Sequence, residues 1–102
     1  KPFSCRQMFL YYAFYFHHRE KKNIVVKSAI LKTSDGKKTA SYQADLRAPF
    51  YDSKENKYYY AVDASWELNV PATDVLKDIY DLILILEVDR KEFEYTIHFR
   101  KK

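Results

Sequence analysis

Between Lys57 and Val70 the chain alternates without a break. Tyr58, Tyr60, Val62, Ala64, Trp66, Leu68 and Val70 fall on one side, and Lys57, Tyr59, Ala61, Asp63, Ser65, Glu67 and Asn69 on the other. A pleated strand sends successive side chains to opposite faces, whereas a helix would scatter this pattern around its circumference. The segment predicts one long strand buried on one face. Lys38 to Ala48 repeats the pattern, with Ala40, Tyr42, Ala44, Leu46 and Ala48 inward, as does Glu92 to Arg100, with Phe93, Tyr95, Ile97 and Phe99 inward. Three more segments are apolar on both sides: Met8 to Phe16, the first half of Asn23 to Thr33, and Leu82 to Val88. Their length and their β-branched or aromatic content predict strands in central or sandwiched positions.

Polar turn signals separate these runs at His17 to Lys22, Ser34 to Lys37, Asp52 to Asn56 and Asp89 to Lys91. Asp35-Gly36 is the strongest, because such a dipeptide enters the positive-φ region of a tight hairpin cheaply. It uses the chain's only glycine. The one helical pattern lies in Pro71 to Tyr80. Thr73 is placed to cap it, Asp74 falls in its first turn, and Val75, Leu76 and Ile79 share a side, which predicts about two turns near residues 73–80. A short helical crossing before the penultimate strand resembles the corner of immunoglobulin-like domains, and that resemblance would make Tyr80 a corner tyrosine. No motif in the chain identifies a family.

The chain's 102 residues fit one domain spanning 1–102, and 47% hydrophobic with 31% charged residues is the balance of a folded globule. Because the first residue is Lys1, the sequence reads as a piece excised or processed from a longer protein. With a single Gly, the glycine-rich phosphate loops are excluded. With a single Cys, Cys5, an internal disulfide and a cysteine-rich zinc site are excluded too. A reducing compartment suits a free thiol, but exported β domains also lack disulfides, so the localisation is unknown from sequence. The longest apolar run, Met8 to Phe16, is about half of the ~20 residues a transmembrane helix needs, so no transmembrane segment is expected.

Catalysis finds little support. His17 and His18 are adjacent and read as a solvated turn, His98 is isolated on an outward position, and no metal or other cofactor is expected. Glu92 and Glu94 share a strand face at a spacing that paired glycosidase acids can have, but alternating acids on an exposed strand more simply keep it soluble. Asp74, Asp78 and Asp81 cluster about the helical turn and read as solvent-facing or as favouring its N-terminus. Ser28, Ser41 and Ser65 lack a nucleophile signature. Cys5, beside Arg6, reads as an inert terminal thiol. The chain is expected not to be an enzyme.

The aromatic residues are more informative: ten Tyr, seven Phe and one Trp. Alternation buries most of them, and tyrosine suits a ring buried at a rim with its hydroxyl wet or hydrogen-bonded. Tyr59 is the exception by parity, and Phe50 and Tyr51 follow Pro49 in an expected loop. Phe50, Tyr51, Tyr59 and the neighbouring Lys57 therefore form the candidate binding site, since an exposed apolar patch marks a partner surface. The net charge of +4 is spread along the chain and lies within the range of ordinary solubility.

The expected architecture is an all-β, two-layer antiparallel sandwich, immunoglobulin-like or C2-like, with six to seven strands and the short helix. The expected function is a non-catalytic interaction module that binds a protein through the aromatic patch or an edge strand. The alternative is a carbohydrate or polyanion binder, taking nucleic acid or an anionic lipid surface, in which Tyr and Trp faces stack and Lys neutralises charge.

Overall fold

The computed structural model describes residues 8–34, 36–68 and 80–100, and these contain eight strands: β1 (Met8–His18), β2 (Ile24–Thr33), β3 (Lys38–Ala40), β4 (Gln43–Leu46), β5 (Phe50–Asp52), β6 (Lys57–Leu68), β7 (Tyr80–Val88) and β8 (Lys91–Phe99). All pairings are antiparallel. The first sheet runs β1-β6-β4, with β5 also paired to β6, and the second runs β3-β2-β7-β8. The chain is therefore all-β in two antiparallel sheets that share one core, an arrangement compatible with a β-sandwich.

The alternation of the long strand holds as expected over Lys57–Leu68, and positions 69 and 70 of the expected strand lie outside the described residues. Tyr60, Val62, Ala64 and Trp66 of β6 are buried in the core, joined from the second sheet by Ala29 and Leu31 of β2 and by Leu82, Leu84, Leu86 and Val88 of β7. Ala61, on the opposite face of β6, is also buried. The two large polar rings of the core satisfy their hydrogen-bonding groups through backbone. Trp66 Nε1 donates to the Thr39 carbonyl at 3.1 Å, and the Tyr60 hydroxyl accepts the Lys22 N–H at 2.8 Å. The first bond fastens β3, and the second the β1–β2 connection, to the centre of the first sheet, as expected of rings with a buried body and a bonded tip.

Four expectations change. The segment 38–48 is two strands in different sheets. The Ser41 N–H donates to Ala29 of the second sheet at 2.8 Å, and the Tyr42 N–H donates to Ser65 of the first at 2.6 Å. The inward phase is lost there, so Ala44 and Leu46 pack against the core while Ala40, Tyr42 and Ala48 are exposed. An alternating pattern looks the same in either sheet, which is why the crossing left no trace in it. Next, among the described residues β1 is an edge strand whose outer face no element covers, rather than a central strand. Thirdly, His17 and His18 end β1 instead of forming a turn, and Phe50 and Tyr51 lie in β5 instead of a loop. Lastly, the expected helix near 73–80 falls on residues outside those described except for Tyr80, which opens β7 and stacks on Phe99 at 4.8 Å.

The turns show how the chain manages with one glycine. Gly36, at φ +90°, sits in the β2–β3 hairpin, where its N–H donates to the Thr33 carbonyl at 2.9 Å. Among the described residues the other positive-φ positions are Asn56, Asp89 and Arg90. Asp89 and Arg90 form the two-residue connection of β7 to β8, both left-handed as a primed hairpin turn requires. Asp89 is also tied down, since its carboxylate accepts the Asn23 N–H at 2.9 Å and pairs with Lys22 at 3.3 Å. Those partners hold its pKa below the ordinary carboxylate range, the Asn23 N–H foremost.

Two substitutions probe this account. Leu84→Ala, in the shared core, should lower unfolding free energy by about 2–5 kcal/mol. Gly36→Ala should cost on the order of 1 kcal/mol, because nothing lies within 4 Å of an added Cβ and only the positive φ opposes it. Chemical denaturation measures both.

Candidate binding face

The outer face of the first sheet is assembled by register. From β1 come Phe9, Tyr11, Ala13, Tyr15 and His17, opposite Glu67, Ser65, Asp63, Ala61 and Tyr59 of β6. On the other flank Gln43 and Asp45 of β4 face Ser65 and Asp63, while Phe50 and Asp52 of β5 face Tyr59 and Lys57. Three rows of alternate positions thus share one pleated surface. Phe9, Tyr11, Tyr15, Tyr42 and Phe50 are all exposed there, Tyr15 to 71% and Phe50 to 65%. Phe9 meets Tyr42 edge-on at 5.8 Å, and His17 lies against Tyr59 at 5.5 Å.

A polar cluster sits between these rings. The Arg47 guanidinium grips Asp63 with two bonds, Nε to Oδ2 and Nη2 to Oδ1, each 2.6 Å. The Tyr11 hydroxyl donates to the same carboxylate and receives Arg47 Nη2 at 3.3 Å. Arg47 also stands 5.7 Å from the centre of the Tyr15 ring, a cation–π distance. The hydrogen bonds from Arg47 first, and then from Tyr11, pull the Asp63 pKa down to about 2. Asp63 in turn raises the Tyr11 and Arg47 pKa values. The backbone helps as well: the Arg47 N–H donates to the Ala61 carbonyl at 2.8 Å, fixing the arginine beside β6.

The four residues singled out from sequence are divided by the fold. Phe50 and Tyr59 are cross-strand partners on this outer face, with Lys57 one strand period beyond. Tyr51 points to the other face, against Tyr58 at 4.8 Å, with its hydroxyl donating to Asn56 Oδ1 at 2.5 Å. Tyr59 is only half exposed and donates its hydroxyl to Glu55, which raises its pKa. Phe9, Tyr11 and Tyr15 escape the sequence pattern because apolar residues on both sides of a strand imply burial on both sides, and Tyr42 escapes it because the chain changes sheets beside it. A usable signal was present, since tyrosines occupy two of the outer β1 positions where a two-sided core strand would favour Val, Ile or Leu.

The second sheet presents a different outer face. Ile30, Ile83 and Ile85 are half-buried there among polar groups, including the Lys27–Glu87 ion pair at 3.0 Å and a His98–Asp81 hydrogen bond at 2.7 Å. Glu92 and Glu94 are exposed on the same side. Among the described residues no group of three or more His, Cys, Asp or Glu side chains is placed to hold a metal ion, and no helix is long and apolar enough to cross a membrane. No family model, curated protein or solved structure matches the chain.

The Asp63 pKa gives a signed prediction. A carboxylate whose pKa is lower folded than unfolded stabilises the fold above its unfolded value of about 3.9, and that contribution disappears as pH falls through the folded value. The stability difference between wild type and Asp63→Asn should therefore be full at neutral pH and shrink as pH falls from about 4 to about 2. Titration followed by NMR should also show the Asp63 pKa rising toward about 3.9 in Arg47→Ala.

Proposed function

We propose that this chain is a non-catalytic interaction module that binds another protein on the outer face of the first sheet. The observation that carries the reading is five exposed aromatic side chains on one face of one sheet, gathered about a bidentate Arg47–Asp63 pair. Aromatic residues and arginine are enriched at protein interfaces, where tyrosine supplies large contact area with few rotatable bonds. The charged outer face of the second sheet marks the asymmetry of the molecule. Two antiparallel sheets on one core, with the chain passing between them at Ser41-Tyr42, support the immunoglobulin-like or C2-like architecture that goes with this reading.

The carbohydrate or polyanion reading uses the same rings as stacking platforms. Against it, Arg47, the cation at the centre of the face, is already committed to Asp63.

Photo-crosslinking distinguishes the readings. A benzophenone side chain at Tyr15 should yield a defined protein adduct from extracts of the source cells, while the same probe at Val25, exposed on the second sheet, should not. Phe50→Ser and Tyr42→Ser should leave the melting temperature within a few degrees of wild type and abolish the adduct. Equal labelling from both positions would defeat the proposal. Retardation by heparin, nucleic acid or a polysaccharide gel that is lost in Tyr15→Ser would favour the alternative.

A further inference from the structure

The edges of the two sheets are unequally protected. Exposed edge strands invite pairing with another chain, and proteins usually blunt them with charges, proline or shortness. On one side of the molecule β3, β4 and β5 are three or four residues long, and Pro49 precedes β5. On the other side β8 carries Lys91, Glu92, Glu94 and His98. β1 has none of these devices. It runs 11 residues from Met8 to His18 with no Lys, Arg, Asp, Glu or Pro, and among the described residues only its β6 side is paired.

The sequence of β1 is also nearly symmetric about Ala13. In an antiparallel pairing of two copies centred there, Tyr12 meets Phe14, Tyr11 meets Tyr15, Leu10 meets Phe16 and Phe9 meets His17. Every pair keeps its face, since partners differ by an even number of residues and the sheet period is two. Directly opposed aromatic and aliphatic pairs are the favourable ones in antiparallel sheets.

The layer beneath is only partly closed on this same side, where Phe16 stacks on Tyr95 at 5.9 Å. Phe93 and Tyr95 point toward the core from β8, yet are 44% and 38% exposed. A cleft of about 250 Å³ lies between the edges, lined by Tyr12, Phe14 and Phe16 of β1 with Tyr95 and Ile97 of β8. A partner's β1 would extend the first sheet and bring its own core-face side chains to this opening. The available area suits a dimer. An 11-residue strand is about 37 Å long, and the whole flank on which it lies, 27 Å across both sheets, bounds the contact at roughly 1,000 Å² per copy, against the ~800 Å² per partner of a standard interface.

From this we infer that β1 is a homotypic interface: two copies of the chain pair edge to edge through β1 about a twofold axis at Ala13, making one continuous sheet. The pairing is isologous and closes at two copies, because each β1 has a single free edge. It also joins the outer faces of the two copies into one aromatic surface, with Tyr11 beside the partner's Tyr15.

Sedimentation velocity across roughly 1 to 200 µM should show a species of twice the 12.3 kDa monomer mass growing with concentration. Ala13→Lys puts two ammonium groups together at the axis and should weaken that association at least about tenfold with the far-ultraviolet spectrum unchanged. In a Cys5→Ser background, Ala13→Cys should oxidise rapidly to a disulfide dimer, since opposed Cα atoms about 4.5–5.5 Å apart lie within disulfide reach. Asp45→Cys, on β4, should not. A monomer throughout the range, a dimer indifferent to Ala13→Lys, or equal crosslinking at Ala13→Cys and Asp45→Cys would each overturn the inference.

Discussion

The fold rests on two interleaved long-range pairings. β1 and β2 are consecutive but lie in different sheets, and so do β6 and β7, yet β1 pairs with β6 and β2 with β7. The chain therefore cannot finish either sheet until its second half returns to its first. Closing such loops costs chain entropy before any core forms, and the core must be large enough to offset it. That requirement accounts for the long apolar strands. It also accounts for the position of Trp66 and Tyr60, whose rings fill the middle of the first sheet while their polar tips hold the residues around Thr39 and Lys22.

Much of this architecture was legible as alternation. Residues 57–68 and 91–99 read directly as strands because one side is apolar and the other polar, so parity alone fixes orientation. The reading failed where the physical cause of the pattern was ambiguous. In 38–48 a small-residue alternation serves equally well in either sheet, and only the hydrogen bonds of Ser41 and Tyr42 reveal that the chain changes partners between them. In β1, apolar residues on both sides have two explanations, burial on both faces or one face left for something else, and periodicity does not separate them.

The same ambiguity hid most of the candidate site. Tyr59 is legible because parity puts it on the outer side of a one-sided strand and Phe50 because it follows Pro49, whereas Phe9, Tyr11 and Tyr15 sit in a strand that is apolar on both sides. Tyr51 shows the converse. It is exposed as expected, but its pairing with Tyr58 places it on the other face, and a shift of one residue in a strand is enough to do that. Arg47 and Asp63 were both assigned outward by parity, and their bidentate pairing depended on strand order, which a single sequence does not contain.

That pair explains how an aromatic face can be exposed and still be ordered. Rings left free in water lose conformational freedom when a partner covers them, at about 0.5–1.5 kcal/mol for each side chain that is immobilised. Here Tyr11 is held through its hydroxyl by Asp63, and Tyr15 lies under the Arg47 guanidinium, so part of that ordering precedes any encounter. A lysine at position 47 would keep the charge and lose the planar fork that reaches Asp63 and Tyr11 together. The absence of charge from β1 follows from the same geometry. Its outer side chains belong to the aromatic face, its inner ones to the core, and its backbone edge is free, so a lysine or glutamate at most of its positions would disturb one of the three.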